Sequence, residues 1–320
     1  MVGLMEIERP VKELEGKIAE LKNLAETQNI DLSEQISTLE ERAEKLKKRL
    51  YKNLTPWQKT QMARHPMRPY TLDYAQALFD EYIELHGDRC YGDDKSIVGG
   101  FAKLDGRPVV FIGHQKGRNT RENIERNFGS AHPEGYRKAM RLMEQAERFK
   151  RPILTFIDTQ GAFCGIEAEE RGQSEAIASS LCFMSRLKTP IIAVIIGEGG
   201  SGGAIGLGVG NRILMLENSV YSVISPEGCA AILWKDAGRA REAAEILKLT
   251  ASDLKKLDVI DEIIPEPIGG AHNDYEKTIA AVKKAVKRHL SELSVMSAEE
   301  LVADRYDKFR RMGVVGSIMP

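Results

Sequence analysis

The sequence is short of paired cysteines, of net charge and of long apolar runs, and each shortage closes off a class of protein. Its four cysteines, Cys90, Cys164, Cys182 and Cys229, are scattered with no Cys-x-x-Cys pair. That argues against a zinc site and a disulfide framework, and fits a reducing cytoplasm. Lys and Arg number 46 against 47 Asp and Glu, a formal charge of −1, so no footprint for general nucleic-acid binding is present. No stretch approaches the roughly 18 uncharged apolar residues of a membrane span, and acidic residues appear early where a secretory signal needs an apolar core. The expectation is a soluble, cytoplasmic protein. At 320 residues the chain can bury a full α/β core and still carry an appendage.

What the sequence does have is glycine, concentrated in PIIAVIIGEGGSGGAIGLGVG from Pro190 to Gly210. The β-branched run Ile191 to Ile196 predicts a strand buried on both faces. It leads into Gly197, Gly199, Gly200, Gly202 and Gly203 and then a small-residue helix over Ala204 to Gly208. A strand, a glycine turn and a helix start bring free backbone N–H groups to one point, suited to an anion or a developing oxyanion. Three readings share these residues. Gly197-x-Gly199-x-x-Gly202 fits the dinucleotide fingerprint, with Glu217 as its later acid. Gly199-x-Ser201-x-Gly203 fits a nucleophile elbow, with Asp236, Asp258 or Asp261 and then His272 or His289 in the required order. The third is a backbone oxyanion hole in an acyl-CoA enzyme, each donor of which is worth roughly 2.7–4 kcal/mol. A Walker loop is excluded, since no Gly-Lys-Ser/Thr follows.

Around this centre the chain divides into three. Val11, Leu14, Ile18, Leu21 and Ala25, then Leu32 to Leu50, step by three and four, predicting two antiparallel helices with a coiled-coil seam and an Asp31-x-x-Glu34 capping box. Thr55-Pro56 and Thr71 open two more helices, the second running through Tyr82 and Leu85 to His86-Gly87. Ile97 to Leu104 and Pro108 to Gly113 flank the hairpin signal Asp105-Gly106. The basic stretch Gln115 to Asn127, with Lys116, Arg118, Arg121 and Arg126, is open between a phosphate or acidic-partner contact and a solvated loop. A helix over Glu134 to Phe149 precedes two β-turn-α repeats, ILTFID-TQGAFCG-EAEERGQSEAIASSLCFMSRL and IIAVIIG-EGGSGG-AIGLGVG. These describe a parallel sheet with crossover helices, whose site combines Gly161, Ala162 and Phe163 with Gly200 to Gly203 at the strands' carboxyl ends. Strands over Arg212 to Glu217, Val220 to Ile224 and Val259 to Pro265 follow, with helices over Pro226 to Trp234 and Ala243 to Leu257, then a helical C-terminal segment to about Arg311. The expected division is an arm over 1–52, a main domain over 53–270 and a C-terminal helical segment over 271–320.

Several long motifs settle the choice among the three readings. IGEGGSGGA, YSVISPEGCAAILWKD, GHQKGR, RNFG…HPEGYRKAMRLM, AEERGQSEAIA, RPYTLDY and IPEPIGGAH closely resemble the carboxyltransferase α subunit of bacterial acetyl-CoA carboxylase, over nearly the whole chain. The resemblance implies an α/β crotonase (ClpP-like) superfold of repeated ββα units with the helical arm and C-terminal helices added. It implies an α2β2 assembly with a β subunit of similar fold, which carries a zinc ribbon, while this chain holds no metal. It implies a biotin carboxyl carrier protein and a biotin carboxylase as further partners, and transfer of the carboxyl group from carrier-bound carboxybiotin to acetyl-CoA. The product is malonyl-CoA, at the first committed step of fatty-acid synthesis. Two oxyanions develop in that chemistry; the resemblance assigns the Gly202 and Gly203 amides to biotin's ureido oxygen and a β-subunit pair to acetyl-CoA, with Gly161, Ala162, Phe163, Gly200 and Ser201 lining the substrate site.

One turn departs from the family's Asp-Thr-x-Gly-Ala-Tyr-Pro-Gly. Here Asp158-Thr159-Gln160-Gly161-Ala162-Phe163-Cys164-Gly165 loses a tyrosine hydroxyl and a proline's fixed φ, and Glu167 replaces a usually small neutral residue. The backbone donors of Gly161 and Ala162 are retained, and Cys164 is expected to be buried and inert. Two rival functions remain on the residues alone: a self-sufficient acyl-CoA hydratase or hydrolase using Ser201, and a non-catalytic scaffold using the basic 115–127 stretch.

Overall fold

The β-branched runs of the middle of the chain become the centre of one twisted sheet. The computed structural model describes residues 2–28 and 30–313, with side chains from Glu8 onward. Helices α1 (Val2–Gln28) and α2 (Ser33–Lys52) form the antiparallel arm, followed by α3 (Pro56–Ala63), α4 (Thr71–Leu78) and strands β1 (Glu81–Glu84), β2 (Ile97–Leu104) and β3 (Arg107–His114). Next come α5 (Thr120–Glu125), α6 (Pro133–Arg148), β4 (Ile153–Thr159), α7 (Ile166–Glu170), α8 (Gln173–Arg186), β5 (Ile191–Gly200) and α9 (Ser201–Ile205). The chain continues through β6 (Arg212–Leu216), β7 (Val220–Ser222), α10 (Pro226–Trp234), α11 (Ala240–Leu247), α12 (Ala251–Lys256) and β8 (Glu262–Ile264), and finishes with α13 (Tyr275–Leu293) and α14 (Ala298–Arg311).

The sheet order is β1-β2-β3-β4-β5-β6-β8, with β7 extending β5 beyond β6. The first three strands are antiparallel and the rest pair in parallel. Strand β5 shows why the run reads as buried: Ile191, Ala193 and Ile195 enter the core beneath α6 and α8, while Ile192, Val194 and Ile196 enter the opposite one with Tyr74, Leu78, Val282 and Val286. Helices cover both faces, as parallel strands require.

Four local expectations change in the folded chain, two of them through pairing with distant residues. The helix opened near Thr71 stops at Leu78, because the Asp80 amide donates to Lys103 O (2.8 Å) and Glu81 pairs with Lys103 as the sheet's edge strand. The single helix expected after the β4 turn breaks into α7 and α8 at Gly172, φ 81°. The expected Ala243–Leu257 helix breaks at Lys248, φ 52°; Leu249 is buried and Thr250 bridges to Val220 before capping α12. Asp31 accepts from the Ser33 amide (3.1 Å), a local turn in place of the expected capping box. By contrast, the Thr55 N-cap with Pro56 at the first helical position, and the Asp105-Gly106 hairpin turn with both residues at positive φ, form as read, and Gln58 completes a capping box with Thr55.

The arm seats on the main body through a histidine pair. His65, just after α3, stacks on His272 at 3.7 Å between centroids. Glu8 of α1 lies 3.7 Å from His272 Nε2, and Tyr51 of α2 donates to Glu8 (3.4 Å). Burial, reinforced by the neighbouring His272, pushes His65 down to about 4, and burial also lowers His272. The folded pair therefore binds fewer protons than the unfolded chain, whose histidines titrate near about 6.5. Its stability is fully present above that value and is lost as pH falls toward about 4. Acid-induced protease nicking of α1 and α2 should appear in this window. The His65→Phe/His272→Phe chain, which keeps the stack without the titration, should resist it; equal nicking would refute the histidine account. The paired comparison matters because buried His114 is also lowered to about 4.

Candidate active site

Two backbone turns meet at the carboxyl ends of β4 and β5, and the glycines record how closely. A Cβ on Gly200 would lie 2.1 Å from Gln160 O, and one on Gly203 would lie 2.6 Å from Gly161 C and 2.7 Å from Ala162 N. The turn after β4 and the first turn of α9 are thus in direct main-chain contact. Asp158 braces them from below: its Oδ1 accepts from Lys116 Nζ (2.6 Å) and from the Glu198 amide (3.0 Å). Gly197 is needed for that approach, since its Cβ would fall 2.4 Å from Asp158 Oδ1. Thr159 fixes its own turn, donating to Gly161 O (2.8 Å) and accepting from Gly161 N (3.1 Å).

Ser201 has φ 49° at the strand-to-helix junction, and α9 ends at Ile205. A helix this short lacks the macrodipole expected of a longer run, so the unpaired first-turn amides themselves are what the site offers. Beside them opens a cavity of about 270 Å³ walled by Ser201, Gly202, Ile205, Tyr221, Leu254 and Val259. Burial pushes the Tyr221 hydroxyl up to about 12, so it stays a neutral donor.

The altered β4 turn is held without a tyrosine hydroxyl or a proline. The Phe163 amide donates to Ala131 O (3.0 Å), and the Gln173 amide group donates to both Ala131 O (2.7 Å) and Phe163 O (2.8 Å). The Phe163 ring stacks on His132 at 4.1 Å. Cys164, expected to be buried, is exposed, because the turn points outward between Phe163 and the start of α7. Glu167 is exposed in the first turn of α7.

The basic stretch is absorbed largely into structure. Lys116 pairs with Asp158. Arg118 pairs with Asp73, donates to Pro66 O (2.8 Å) and Arg68 O (2.9 Å), and covers the Tyr70 ring. Arg126 donates to Lys95 O (2.8 Å). The residues a hydrolase would need are committed elsewhere: His272 stacks on His65, His289 pairs with Glu262 (2.7 Å), Asp236 caps Gly238 and Asp261 accepts from Ile213 N. Glu217, the acid of the dinucleotide reading, accepts from Glu266 N (3.2 Å).

Among the described residues one group brings metal-competent side chains together: Glu8, His65 and His272. Their geometry is that of a latch. The rings lie face to face, 16° from parallel. His65 Nδ1 already accepts from the Met67 amide (3.2 Å), and Lys12 Nζ sits 2.7 Å from Glu8. Sequence reasoning missed Asp158, Gln173 and His132 as supports of the turns. Their one signal was position, at a strand's end and at two helix starts.

A mixed sheet whose parallel strands end in glycine turns, with helices over both faces, is the architecture of the crotonase-fold carboxyltransferases. A transcarboxylase 12S subunit, solved with methylmalonyl-CoA, superimposes with a TM-score of 0.59 at 16% identity, over 71% of this chain and 42% of that one. A Pseudomonas malonate decarboxylase hetero-tetramer chain, solved with coenzyme A, gives 0.59 at 18% identity over 74% and 95%. The family described as acetyl co-enzyme A carboxylase carboxyltransferase-like matches residues 4–313. Acetyl-coenzyme A carboxylase carboxyl transferase subunits alpha of Geobacillus sp. (strain WCH70) and Geobacillus kaustophilus are 60% and 58% identical, over 98% and 100% of this chain and 96% and 98% of theirs. The chain belongs to the family of acetyl-CoA carboxylase carboxyl transferase alpha subunits. It is a carboxyltransferase subunit of a biotin-dependent enzyme family.

Proposed function

We propose that this chain forms the biotin-facing half of an acetyl-CoA carboxyltransferase, working with a β subunit as α2β2. The observation that carries the reading is the family match along residues 4–313 together with the main-chain contact of the two glycine turns at the sheet's carboxyl end. Carboxybiotin, held on a separate carrier protein and recharged by a biotin carboxylase, supplies the carboxyl group that converts acetyl-CoA to malonyl-CoA. The donor set fits a ureido oxygen, which asks for N–H groups and no side-chain base. The Gly202 and Gly203 amides donate to that oxygen. Gly161, Ala162 and Phe163 back them, and Gly200 and Ser201 set the turn. Ile205, Leu254 and Val259 keep water from the developing charge, which strengthens each donor. The β subunit supplies the donors for the thioester and carries the zinc. The division at 52 and 270 assigns the arm and the C-terminal helices to assembly and the part between to chemistry. Among the described residues no helix is long and apolar enough to cross a membrane, and the reaction belongs in the cytoplasm, where its CoA substrates are.

The test is malonyl-CoA-dependent carboxylation of biocytin, by the chain alone and after mixing with a cognate β subunit. Turnover is expected only in the mixture. Ser201→Ala should retain it, since among the described residues no His, Asp or Glu lines the cavity beside Ser201. An assembled but inactive mixture would sink the reading; a chain active alone and silenced by Ser201→Ala would establish the hydrolase instead.

A further inference from the structure

The segment joining α5 to α6 is wound the wrong way for L-residues. Asn127, Phe128 and Gly129 have φ of 47°, 53° and 81°, a left-handed turn closed by bonds from Gly129 N to Arg126 O and from Ser130 N to Asn127 O, both 2.8 Å. Such backbone is costly for asparagine and phenylalanine and persists where surroundings impose it. Here it delivers residues 129 to 132 to the β4 turn. A Cβ on Gly129 would sit 3.2 Å from Asp158 O. Ala131 O accepts the Phe163 amide, and the His132 ring lies on the Phe163 ring, 22° from parallel.

His132 is itself held at both ends. Its amide donates to Asp94 (2.5 Å), and its Nδ1 lies 2.9 Å from the Asn127 side-chain amide, which donates to it. Its side chain makes no capping bond to α6, so the helix does not depend on the imidazole. Ala162, the residue before Phe163, provides the amide nitrogen that would lie 2.7 Å from a Gly203 Cβ. The ring that His132 covers is thus one residue from the amide packed against Gly203.

We propose that His132 is a positioning residue of the active site: by stacking on Phe163 it holds the 160–163 turn against Gly203 and so fixes the donor geometry of α9. Its kinetic consequence rests on the function proposed above, whereas its effect on the turn does not. Hydrogen exchange of the full chain and kinetics of the α–β mixture, with malonyl-CoA and biocytin, are measured for His132→Ala and His132→Phe. The alanine variant should exchange the 160–165 amides about tenfold faster, the scale of a lost ring pair. Its kcat should fall by a similar factor, with KM for malonyl-CoA unchanged. The phenylalanine variant, which keeps a stacking ring, should restore both. Unchanged exchange in His132→Ala, or a His132→Phe chain as impaired as the alanine variant, would overturn the proposal. An inactive wild-type mixture would strike the proposed function alone, because the exchange comparison still decides whether His132 holds the turn.

Discussion

Gly203→Ala is expected to lower kcat of the α–β mixture by roughly 10²–10³, the value of one oxyanion donor. The added methyl has nowhere to go: its nearest neighbours are Gly161 C at 2.6 Å and Ala162 N at 2.7 Å, both main chain. Either α9 lifts or the β4 turn retreats, and each moves the Gly203 amide from the point it serves. Gly202 is a sharp contrast. A Cβ there meets only Ile177 Cδ1 at 3.3 Å, the tip of a flexible side chain, and alanine keeps the amide. Gly202→Ala should therefore retain most of the activity, although both glycines belong to the same proposed donor pair. Turnover would be compared at equal assembly, checked by sedimentation, and at equal melting temperature. Wild-type kcat in Gly203→Ala would mean that the site lies elsewhere.

Arg68→Ala should cost the fold about 3–5 kcal/mol, the usual result of stranding one member of a buried ion pair. Arg68 and Glu266 meet at 2.7 Å with side chains 1% and 0% exposed. Burial raises the Glu266 carboxyl, but Arg68 and the Asn218 donors more than offset it and hold it below its ordinary value. The pair is a junction as well as a bond. Arg68 donates twice to Ile196 O (3.1 and 2.9 Å), and Glu266 accepts from Asn218 N (3.0 Å) and Ala271 N (2.8 Å). The strand leading to the glycine turn, the β6–β7 turn and the loop after β8 are all tied to it. Against a typical total stability of about 5–15 kcal/mol, the loss should lower the melting temperature by on the order of 10 °C. Arg68→Lys keeps the charge but not the planar fork and should fall between. A melting temperature within about 2 °C of wild type for Arg68→Ala would show that water or a rearranged neighbour replaces the guanidinium.

The primary structure by itself determined the elements whose signals are local. The apolar runs at the centres of β3, β4 and β5 reflect burial on both faces, and Pro56, Pro133 and Pro226 mark helix starts because proline suits the first helical position. Glycine density marked the site, and the long motifs marked the family. The sequence did not determine which backbone approaches each glycine, since an absent Cβ says that space is needed but not by what. Glu81 to Glu84 satisfied helical spacing and became a strand, because an edge position beside β2 outbid local preference. Lys116 and Arg118 stood open between a ligand contact and a solvated loop until the fold brought Asp158 and Asp73 to them. Gly172 and Lys248 broke helices that periodicity would have continued, and Cys164 came out of the core it was expected to enter. For Glu81, Lys116, Arg118 and the break at Lys248 the deciding partner lies far along the chain. Only the assembled sheet, by bringing the β4 and β5 turns into contact, places main chain where a Gly203 Cβ would go and leaves only the tip of Ile177 beside Gly202.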